Sequence, residues 1–371
     1  MRFPEFTKEW EEHALAEYLD FKNGLNPDVK RIGRGLPFIS VMDILADGTI
    51  NYDSIRGKVE ATEREIENFS VEKGDILFQR SSETLEDVGR ANVYMDNRTA
   101  VYGGFVIRGR KIGDYNPLFF KYLLSTPLAR KRTCRMGAGA QHFNIGQGGL
   151  SKISLCFPLM EEQNKIARLL SLIDERIATQ NKIIDKLQSL IKGLRVCCMQ
   201  RNGSNNVYLS EIAQIYQPQT ISSAELTEDG FLVYGANGII GKYKDYNHKT
   251  EQICITCRGN TCGMVNYTKP MSWITGNAMV INTDKYQDKV YKKYLYHYLS
   301  AYNLNSIISG SGQPQIVRTP LEKLKITLPT ISEQKQKAMI LDKIQDKIEI
   351  NHNILNLYIL QKQYLLRQMF I

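Results

Sequence analysis

Three cysteines and one glycine-rich run are the first residues whose types and spacing could do chemistry. Cys254, Cys257 and Cys262 could supply thiolates to zinc, but no fourth ligand follows at the spacing of a zinc finger. Residues 235–242 resemble a phosphate-binding loop. The run is one residue too long, however, and Tyr243 stands where a Ser or Thr must hold magnesium. Strand packing explains the cysteines more simply, and a turn-rich loop explains the run.

Two further patterns suggest enzymes that act on nucleic acids. Residues 116–119 resemble the Asn-Pro-Pro-Phe site of adenine methyltransferases, but Leu118 replaces the second proline and no glycine-rich cofactor fingerprint precedes it. Asn116 is better explained as a helix cap, with Pro117 in the first turn. Asp28 and Lys30 lack the companion acidic residues of a nuclease core. The sequence therefore predicts no catalytic centre and no metal site.

Polar side chains at loop tips are the remaining chemical feature. Arg, Lys, Gln, Asn, Ser and Thr in such loops can reach the hydrogen-bonding edges of DNA bases. Each of these residues alone could equally be a solvated loop residue or a turn cap, but as a set they recur at matching positions in two parts of the chain. The candidates are Gln79, Arg80, Ser81, Ser82, Arg90, Gln141, His142, Asn144, Asn237, Thr256, Arg258, Asn260, Gln313 and Gln315.

Composition describes a moderately basic globular protein. Such proteins often bind a polyanion, but many bind none, so the charge alone does not decide the partner. The chain has 371 residues, 43% of them hydrophobic, which predicts two or three domains with real cores. Lys and Arg number 48 against 39 Asp and Glu, which gives a net charge of +9. Seven unevenly spread cysteines indicate a reducing cytoplasm rather than a disulfide framework. No signal peptide and no 18-residue apolar run are found, so we expect no membrane span.

A long apolar seam follows residue 158 and must position these loops. Its gaps alternate between four and three residues, with one polar position at Gln180, which is the period of a coiled coil. The seam consists of Ile166, Leu170, Ile173, Ile177, Gln180, Ile184 and Leu187, and it continues to Ile191 and Leu194.

The same stretch occurs again 171 positions later. Pro158, Glu162 and Gln163 return as Pro329, Glu333 and Gln334. The second seam consists of Leu341, Ile344, Ile348, Asn351 and Leu355. Each helix could pack alone on its own globule, but an exposed stripe favours pairing, and we expect an antiparallel coiled coil. Such a pair has an approximate internal two-fold axis, and the seam carboxamides Gln180 and Asn351 would fix its register.

The two globules share one plan, so the sequence predicts a mixed α/β (α+β) fold with four parts. These are a first globule at 1–157, a helix at 158–201, a second globule at 202–328 and a helix at 329–371. We expect a helix at 10–21 and strands at 37–41, 150–155 and 253–255, and residues 74–80 are predicted to be a turn that leads into a buried strand. Residues near the start of each globule repeat at an offset of 194, whereas the long helices repeat at 171. The first globule is therefore about 23 residues longer, through loops between 48 and 90.

This layout resembles the DNA specificity subunit of type I restriction-modification systems. The resemblance covers essentially the whole chain, and the duplicated Pro-x-x-x-Glu-Gln helices are its specific part. It implies that each globule is a target-recognition domain that reads one half of a split, asymmetric site on double-stranded DNA. One departure is residues 141–145, which are looser than the Gln-Pro-Gln-Ile run beginning at Gln313. The role of that loop therefore stays open.

The resemblance also implies partners and cofactors. The helices would act as a spacer and dock two methyltransferase subunits, and restriction (translocase) subunits would join them. S-adenosylmethionine, ATP and magnesium would bind to those partners, and none to this chain. A competing hypothesis is a non-catalytic protein-interaction scaffold with a coiled-coil spacer. Strong salt dependence of DNA affinity would separate the two, because phosphate contacts release counterions. A stand-alone nuclease or methylase is the third and weakest hypothesis.

Overall fold

The chain folds into two compact units. The computed structural model describes residues 2–139, 141–199, 205–236, 238–310 and 312–370. The first unit combines residues 1–181 with 354–371, and the second comprises residues 182–353. Each unit therefore holds one globular region and a segment of each long helix.

The first unit is built from short strands and short helices. Its strands are β1 (Glu11–Ala14), β2 (Leu19–Asn23), β3 (Ile32–Ile39), β4 (Lys58–Val59), β5 (Ser70–Val71), β6 (Ile76–Gln79), β7 (Ser81–Ser82), β8 (Ala91–Val93), β9 (Ala100–Tyr102), β10 (Val106–Lys111), β11 (Phe143–Asn144) and β12 (Ser154–Phe157). Its helices are α1 (Val41–Leu45), α2 (Glu63–Phe69), α3 (Pro117–Ser125), α4 (Pro127–Cys134) and α5 (Gln147–Ser151), with 3-10 turns at Leu15–Glu17, Val29–Arg31 and Tyr52–Ser54. The long helix α6 (Met160–Met199) follows.

The second unit uses fewer elements. Its strands are β13 (Asn205–Tyr208), β14 (Gln214–Tyr216), β15 (Phe231–Gly235), β16 (Gly238–Tyr243), β17 (Ile253–Thr256), β18 (Val265–Tyr267), β19 (Trp273–Ile274), β20 (Ala278–Asn282) and β21 (Lys325–Leu328). Its helices are α7 (Lys292–Ala301), α8 (Arg318–Glu322) and the long α9 (Ile331–Gln368), with 3-10 turns at Leu209–Glu211, Ser223–Glu225 and Leu304–Ile307.

The two units share most of their sheet topology, and the first unit adds β5 beside β9 and the pair β7-β11. The antiparallel sheet β2-β10-β6-β8 of the first corresponds to β14-β20-β17-β18 of the second. The mixed order β4-β3-β9, with one parallel pair, returns as β16-β15-β19, and the pair β1-β12 returns as β13-β21. The mixed α/β prediction and the internal repeat are thus confirmed. The two copies of the central strand begin at Ile76 and Ile253, which are 177 positions apart. The offset falls from 194 to 177 before this strand, so 17 of the 23 additional residues of the first globule lie before Ile76.

Two local predictions were wrong. Residues 10–21 form strands β1 and β2 around a 3-10 turn rather than a helix, because Glu11–Ala14 pairs along its length with Ser154–Phe157. This pairing overrides the helical spacing of the apolar residues. Residues 150–155 are not one strand, since α5 runs to Ser151 before β12 begins. Asn116 does cap α3, as predicted, and its Oδ1 accepts from the amide of Phe119 at 3.0 Å.

The long helices pack on each other within each unit, and they run antiparallel. In the first unit Asp174 forms an ion pair with Lys362 at 2.6 Å, and Arg176 donates to the hydroxyl of Tyr358 at 3.3 Å. In the second unit Ile191 packs with Leu341 and Ile348. Arg176 follows Asp174 along α6, whereas its partner Tyr358 precedes Lys362 along α9. The two helices therefore run in opposite directions.

Burial follows the seam. Buried members are Ile166, Leu170, Ile173, Gln180, Ile184, Leu341 and Ile348, and half-buried members are Ile177, Leu187, Ile344, Asn351 and Leu355. The amide of Asn351 donates to the carbonyl of Lys347 in its own helix. A register role for Gln180 and Asn351 stays a prediction.

A buried glutamine explains the motif that opens each long helix. Gln163 accepts from the backbone amide of Asn116 at 3.0 Å and donates to the carbonyl of Pro158 at 3.0 Å. Gln334 makes the same bonds to the amide of Tyr291 at 2.8 Å and the carbonyl of Pro329 at 2.9 Å. We call these bonds the glutamine clamp. It joins the start of each long helix to the start of α3 or α7.

The glutamate beside each clamp does different work in the two copies. Glu333 accepts from the amide and hydroxyl of Thr330, at 3.0 and 2.8 Å, as in a capping box. Glu162 is buried instead and forms an ion pair with Arg2 at 2.6 Å. The glutamine is therefore the part of the motif that both copies use in the same way.

Replacing Gln334 with methionine is expected to lower the free energy of unfolding of the second unit by about 1–3 kcal/mol. Methionine fills the space but leaves the amide of Tyr291 and the carbonyl of Pro329 without their partner. Urea unfolding measures the effect, and amide hydrogen exchange at Tyr291 localises it. Gln336, which is exposed on the same helix, is the matched control. Equal effects of the two substitutions would contradict the clamp.

Candidate nucleic-acid interface

The loop candidates of the first unit meet where strand β6 ends. Arg80 donates its amide to the carbonyl of Phe105 at 2.9 Å, and its carbonyl accepts from Ile145 at 3.0 Å. Ala138 and Asn144 exchange two backbone bonds of 2.9 Å, which close the loop between them. Strand β7, Ser81–Ser82, pairs with Phe143–Asn144 of this loop. We call this backbone arrangement the tip frame.

The second unit repeats the tip frame bond for bond. Cys257 donates to the carbonyl of Asn277 at 3.0 Å and accepts from Ile316 at 3.0 Å. Ser309 and Gln315 exchange two backbone bonds of 2.8 Å. The loop of residues 138–145 therefore has the same backbone role as the loop of residues 309–316, despite its looser sequence.

Most candidates of the first unit lie on this tip. Gln141, His142 and Asn144 are exposed, and Arg80, Ser81 and Ser82 are half-buried. The guanidinium of Arg80 donates to the carbonyl of Gly104 at 3.3 Å, and Ser81 donates to Asn144.

Gln79 and Arg90 of the first unit are placed differently. Gln79 is buried, and its amide donates to the carbonyl of Ser81 at 2.9 Å, so its side chain braces the tip and does not point to solvent. Arg90 is exposed beside the frame and paired with Asp87 at 2.8 Å.

The second unit exposes a different set. Arg258, Asn260, Gln313 and Gln315 are exposed around its tip frame. Thr256 is fully buried, and its hydroxyl donates to the carbonyl of Ala236 at 2.9 Å. Thr256 thus holds the turn between β15 and β16 and is not free to contact bases. Asn237 lies outside the described residues.

Equivalent positions of the two frames carry different side chains. The frame bonds match Arg80 with Cys257 and Phe105 with Asn277. The bridges at the loops match Ser81 with Arg258 and Asn144 with Gln315. One backbone scaffold therefore presents two different sets of hydrogen-bond donors, acceptors and apolar groups.

Phe105 is a residue of the tip that the sequence-based prediction missed. Its side chain is 69% exposed, although its backbone is fixed by Arg80. Apolar side chains at such positions can contact the methyl group of thymine. The signal in the sequence was an aromatic residue directly after Gly103 and Gly104, in a turn between two strands.

Polar triads connect the globular part of each unit to the helix pair. In the first unit the hydroxyl of Tyr122 donates to Asp174 at 2.7 Å, and Asp174 also holds Lys362. In the second unit His297 lies between Asp342, at 3.0 Å, and Arg195, at 3.3 Å. Burial lowers the pKa of His297, which favours the neutral ring that can accept from Arg195 and donate to Asp342. These contacts fix the helices against the domains that carry the tips.

Comparison with known proteins identifies the family that has this architecture. The family model of the type I restriction modification DNA specificity domain matches residues 7–189 and again residues 202–357. The chain belongs to this family. It is a DNA specificity subunit of a type I restriction-modification system, and specificity subunits are non-catalytic components of such systems.

Relatives cover nearly the full length of this specificity subunit. It is 25% identical over 392 residues to the putative type I restriction enzyme MjaX specificity subunit of Methanocaldococcus jannaschii, covering 93% of this chain and 89% of that one. It is 26% identical to the MjaVIII specificity subunit of the same organism, with 94% and 88% covered.

Solved structures share the fold. The crystal structure of the type I S subunit from M. genitalium covers 100% of this chain and 99% of its own, with a TM-score of 0.68 and 16% identity. A structure from work on complex assembly and conformational transition of the type I system covers 98% and 97%, with a TM-score of 0.57 and 14% identity.

The described part of the chain offers neither a metal site nor a membrane span. There, no group of three His, Cys, Asp or Glu side chains is placed to hold a metal ion. Cys254 and Cys257 are buried thiols, and burial raises the pKa of each. Over the same residues, no helix combines the length and apolarity needed to cross a bilayer.

Proposed function

We propose that this subunit reads a bipartite, asymmetric site on double-stranded DNA, with each tip frame reading one half. The observation that carries the proposal is the repeated frame with different side chains. Two identical scaffolds would place their side chains at DNA in the same way, so the difference in side chains becomes a difference in base sequence. The net charge of +9 favours the encounter with the phosphate backbone.

The four parts of the chain take distinct roles in this proposal. Residues 1–157 and 202–328 are the target-recognition domains, and the helices at 158–201 and 329–371 set their spacing and dock two methyltransferase subunits. Exposed apolar side chains along the helices support docking, because they remain uncovered in the helix pair. These side chains are Leu172, Ile183, Leu190, Met339, Ile340, Ile350, Leu357, Leu360 and Tyr364.

The chemistry belongs to the partners in this proposal. Methyltransferase subunits would carry S-adenosylmethionine, and restriction subunits would use ATP and magnesium. The seven cysteines are all free thiols, which fits a cytoplasmic complex.

Selection of bound duplexes from a random library tests the function. The chain is purified with its methyltransferase subunits, and the retained DNA is sequenced. We expect two short conserved blocks separated by a spacer of fixed length. No enriched split motif, together with DNA affinity that hardly changes with salt, would instead favour a protein-interaction scaffold. Sequencing of methylated sites in a host with and without the gene gives an independent answer.

Replacing Phe105 with alanine is expected to relax selectivity in the block read by the first unit, by up to the roughly 1–3 kcal/mol that one base pair contributes. The block read by the second unit should not change, because Asn277 holds the equivalent position there. Library selection on the variant measures both blocks at once. Ile112, 61% exposed in the same unit, provides the control substitution. A loss of both blocks would show that Phe105 supports folding and not selectivity.

A further inference from the structure

The first unit contains an open cleft lined by several basic side chains. The cleft has a volume of about 510 Å³ and lies between α3, α4, the residues after α1, the start of β8 and the end of α9. Acidic side chains in its lining are Asp47 and Glu86, both exposed. Its basic side chains are Arg90, Lys121, Arg130, Lys131 and Lys362. Two further carboxylates pair with these cations, Asp87 with Arg90 at 2.8 Å and Asp174 with Lys362 at 2.6 Å. Five cations against four carboxylates leave one net positive charge at the cleft.

The backbone and neighbouring carboxylates hold most of these cations in place. Arg130 donates to the carbonyls of Glu86 and Val88, at 2.8 and 2.7 Å. Lys121 donates to the carbonyl of Gly48, and Lys362 is paired with Asp174. Such fixed groups lose little freedom when an anion enters, so the cleft is organised before binding.

Burial in the cleft disfavours the charged form of Lys121. Its pKa is lowered to about 8, mainly by burial and to a smaller extent by the charge of Lys362, while Asp174 and Asp47 act in the opposite direction. A bound anion would stabilise the charged form and raise this pKa.

We infer that this cleft is a phosphate site and that the backbone of the DNA duplex is its ligand. The rim of the cleft is bonded directly to the strand that leads into the tip frame. Gln79 donates its amide to the carbonyl of Arg90 at 2.8 Å, and Gly89 donates to the carbonyl of Gln79 at 2.9 Å. A phosphate held here therefore belongs to the backbone that flanks the bases at the tip. This choice of ligand rests on the proposed function, whereas the affinity for phosphate does not.

Two of the cations in the cleft have no basic counterpart in the second unit. Strand pairing matches Val93 with Tyr267, so the position of Arg90 corresponds to Met264. The glutamine clamps match Asn116 with Tyr291, so the position of Lys121 corresponds to Tyr296. Arg90 and Lys121 are thus particular to the first unit and are not part of the shared framework.

A double substitution, Lys121→Gln with Lys131→Gln, tests the site in the complex with its methyltransferase subunits. Affinity for duplexes of random sequence is measured over a range of salt concentrations. We expect the affinity to fall by one common factor on all sequences. The slope of log affinity against log salt should decrease by about one for each phosphate group that the variant no longer binds. The control, Lys30→Gln with Lys73→Gln, removes the same charge from exposed positions outside the cleft. Equal slopes for the two double variants would overturn the DNA assignment.

Pyrophosphate is the probe for the phosphate chemistry itself. Its binding to the full chain is followed by calorimetry and by the NMR titration of 13C-methylated Lys121. We expect binding that the cleft variant loses and the control keeps, with the pKa of Lys121 raised. Competition between pyrophosphate and duplex identifies the backbone as the source, and binding without competition identifies a free phosphate ligand. No binding and no shift of Lys121 would overturn the site.

The single variant Lys131→Gln is measured as well, because Lys131 is exposed and its replacement should not disturb folding. The two proposals fail in different ways. If a split motif is still selected from the library but pyrophosphate does not bind, the phosphate site is rejected and the proposed function is retained. Pyrophosphate binding without a split motif does the reverse.

Discussion

Replacing Arg258 with alanine is expected to remove base discrimination at one position of the half-site read by the second unit, at a cost of about 1–3 kcal/mol. Arg258 is exposed on the tip frame, and its backbone is held by the bridge to Gln315. A guanidinium placed in this way can bind a guanine through two hydrogen bonds. Binding to a panel of single-base variants of the selected duplex measures the loss.

Lys285→Ala is the matched control, because it removes one exposed charge from the same unit away from the tip. The half-site read by the first unit should be unchanged in both variants. Equal weakening on every duplex would instead identify Arg258 as a phosphate contact. Arg80 is a weaker choice for this experiment, since its guanidinium is half-buried and bonded to Gly104.

Replacing Leu170 with alanine is expected to lower the free energy of unfolding of the first unit by about 2–5 kcal/mol. Leu170 is fully buried on α6, in the core that also contains Leu365 of α9, and truncation leaves a cavity between the helices and the globular part. Leu172 is 47% exposed on the same helix, so Leu172→Ala should change stability by less than about 0.5 kcal/mol.

The two tryptophans allow each unit to be followed separately. Trp10 belongs to the first unit and Trp273 to the second. Fluorescence during urea unfolding, with Trp273 replaced by phenylalanine, therefore reports the first unit alone. The matching pair in the second unit is Leu341, which is buried, and Ile340, which is 49% exposed. Equal costs for the buried and exposed positions would contradict the seam.

The framework could be predicted from the sequence where a pattern repeats over many residues. A 3.5-residue period from Ile166 to Leu194 favours a partner helix for the first long helix, and the copy after Pro329 supplies that partner. Shorter signals were overridden. The helical spacing of residues 10–21 gave way to strand pairing with Ser154–Phe157, a partner more than 130 residues away.

The candidate interface was predicted less completely, for two physical reasons. Gln79 and Thr256 are polar residues at the ends of central strands, and neighbours on both sides bury them, which a polar residue type does not reveal. Phe105 was missed because only the sheet register brings it to the tip, and the cleft lysines were missed because only helix packing brings them together. The exposed residues around Arg258 were among the predicted candidates because the same pattern of polar residues recurs in both copies.

The glutamine clamp has a consequence for the evolution of such chains. Its bonds are made to main-chain atoms, the amides of Asn116 and Tyr291 and the carbonyls of Pro158 and Pro329. Main-chain atoms are the same whatever side chains surround them. A different globular domain that is joined at this point by recombination could form the same bonds with the glutamine of the long helix. Whole domains could then be exchanged between alleles in one event, and the host would acquire a new specificity without rebuilding the helices.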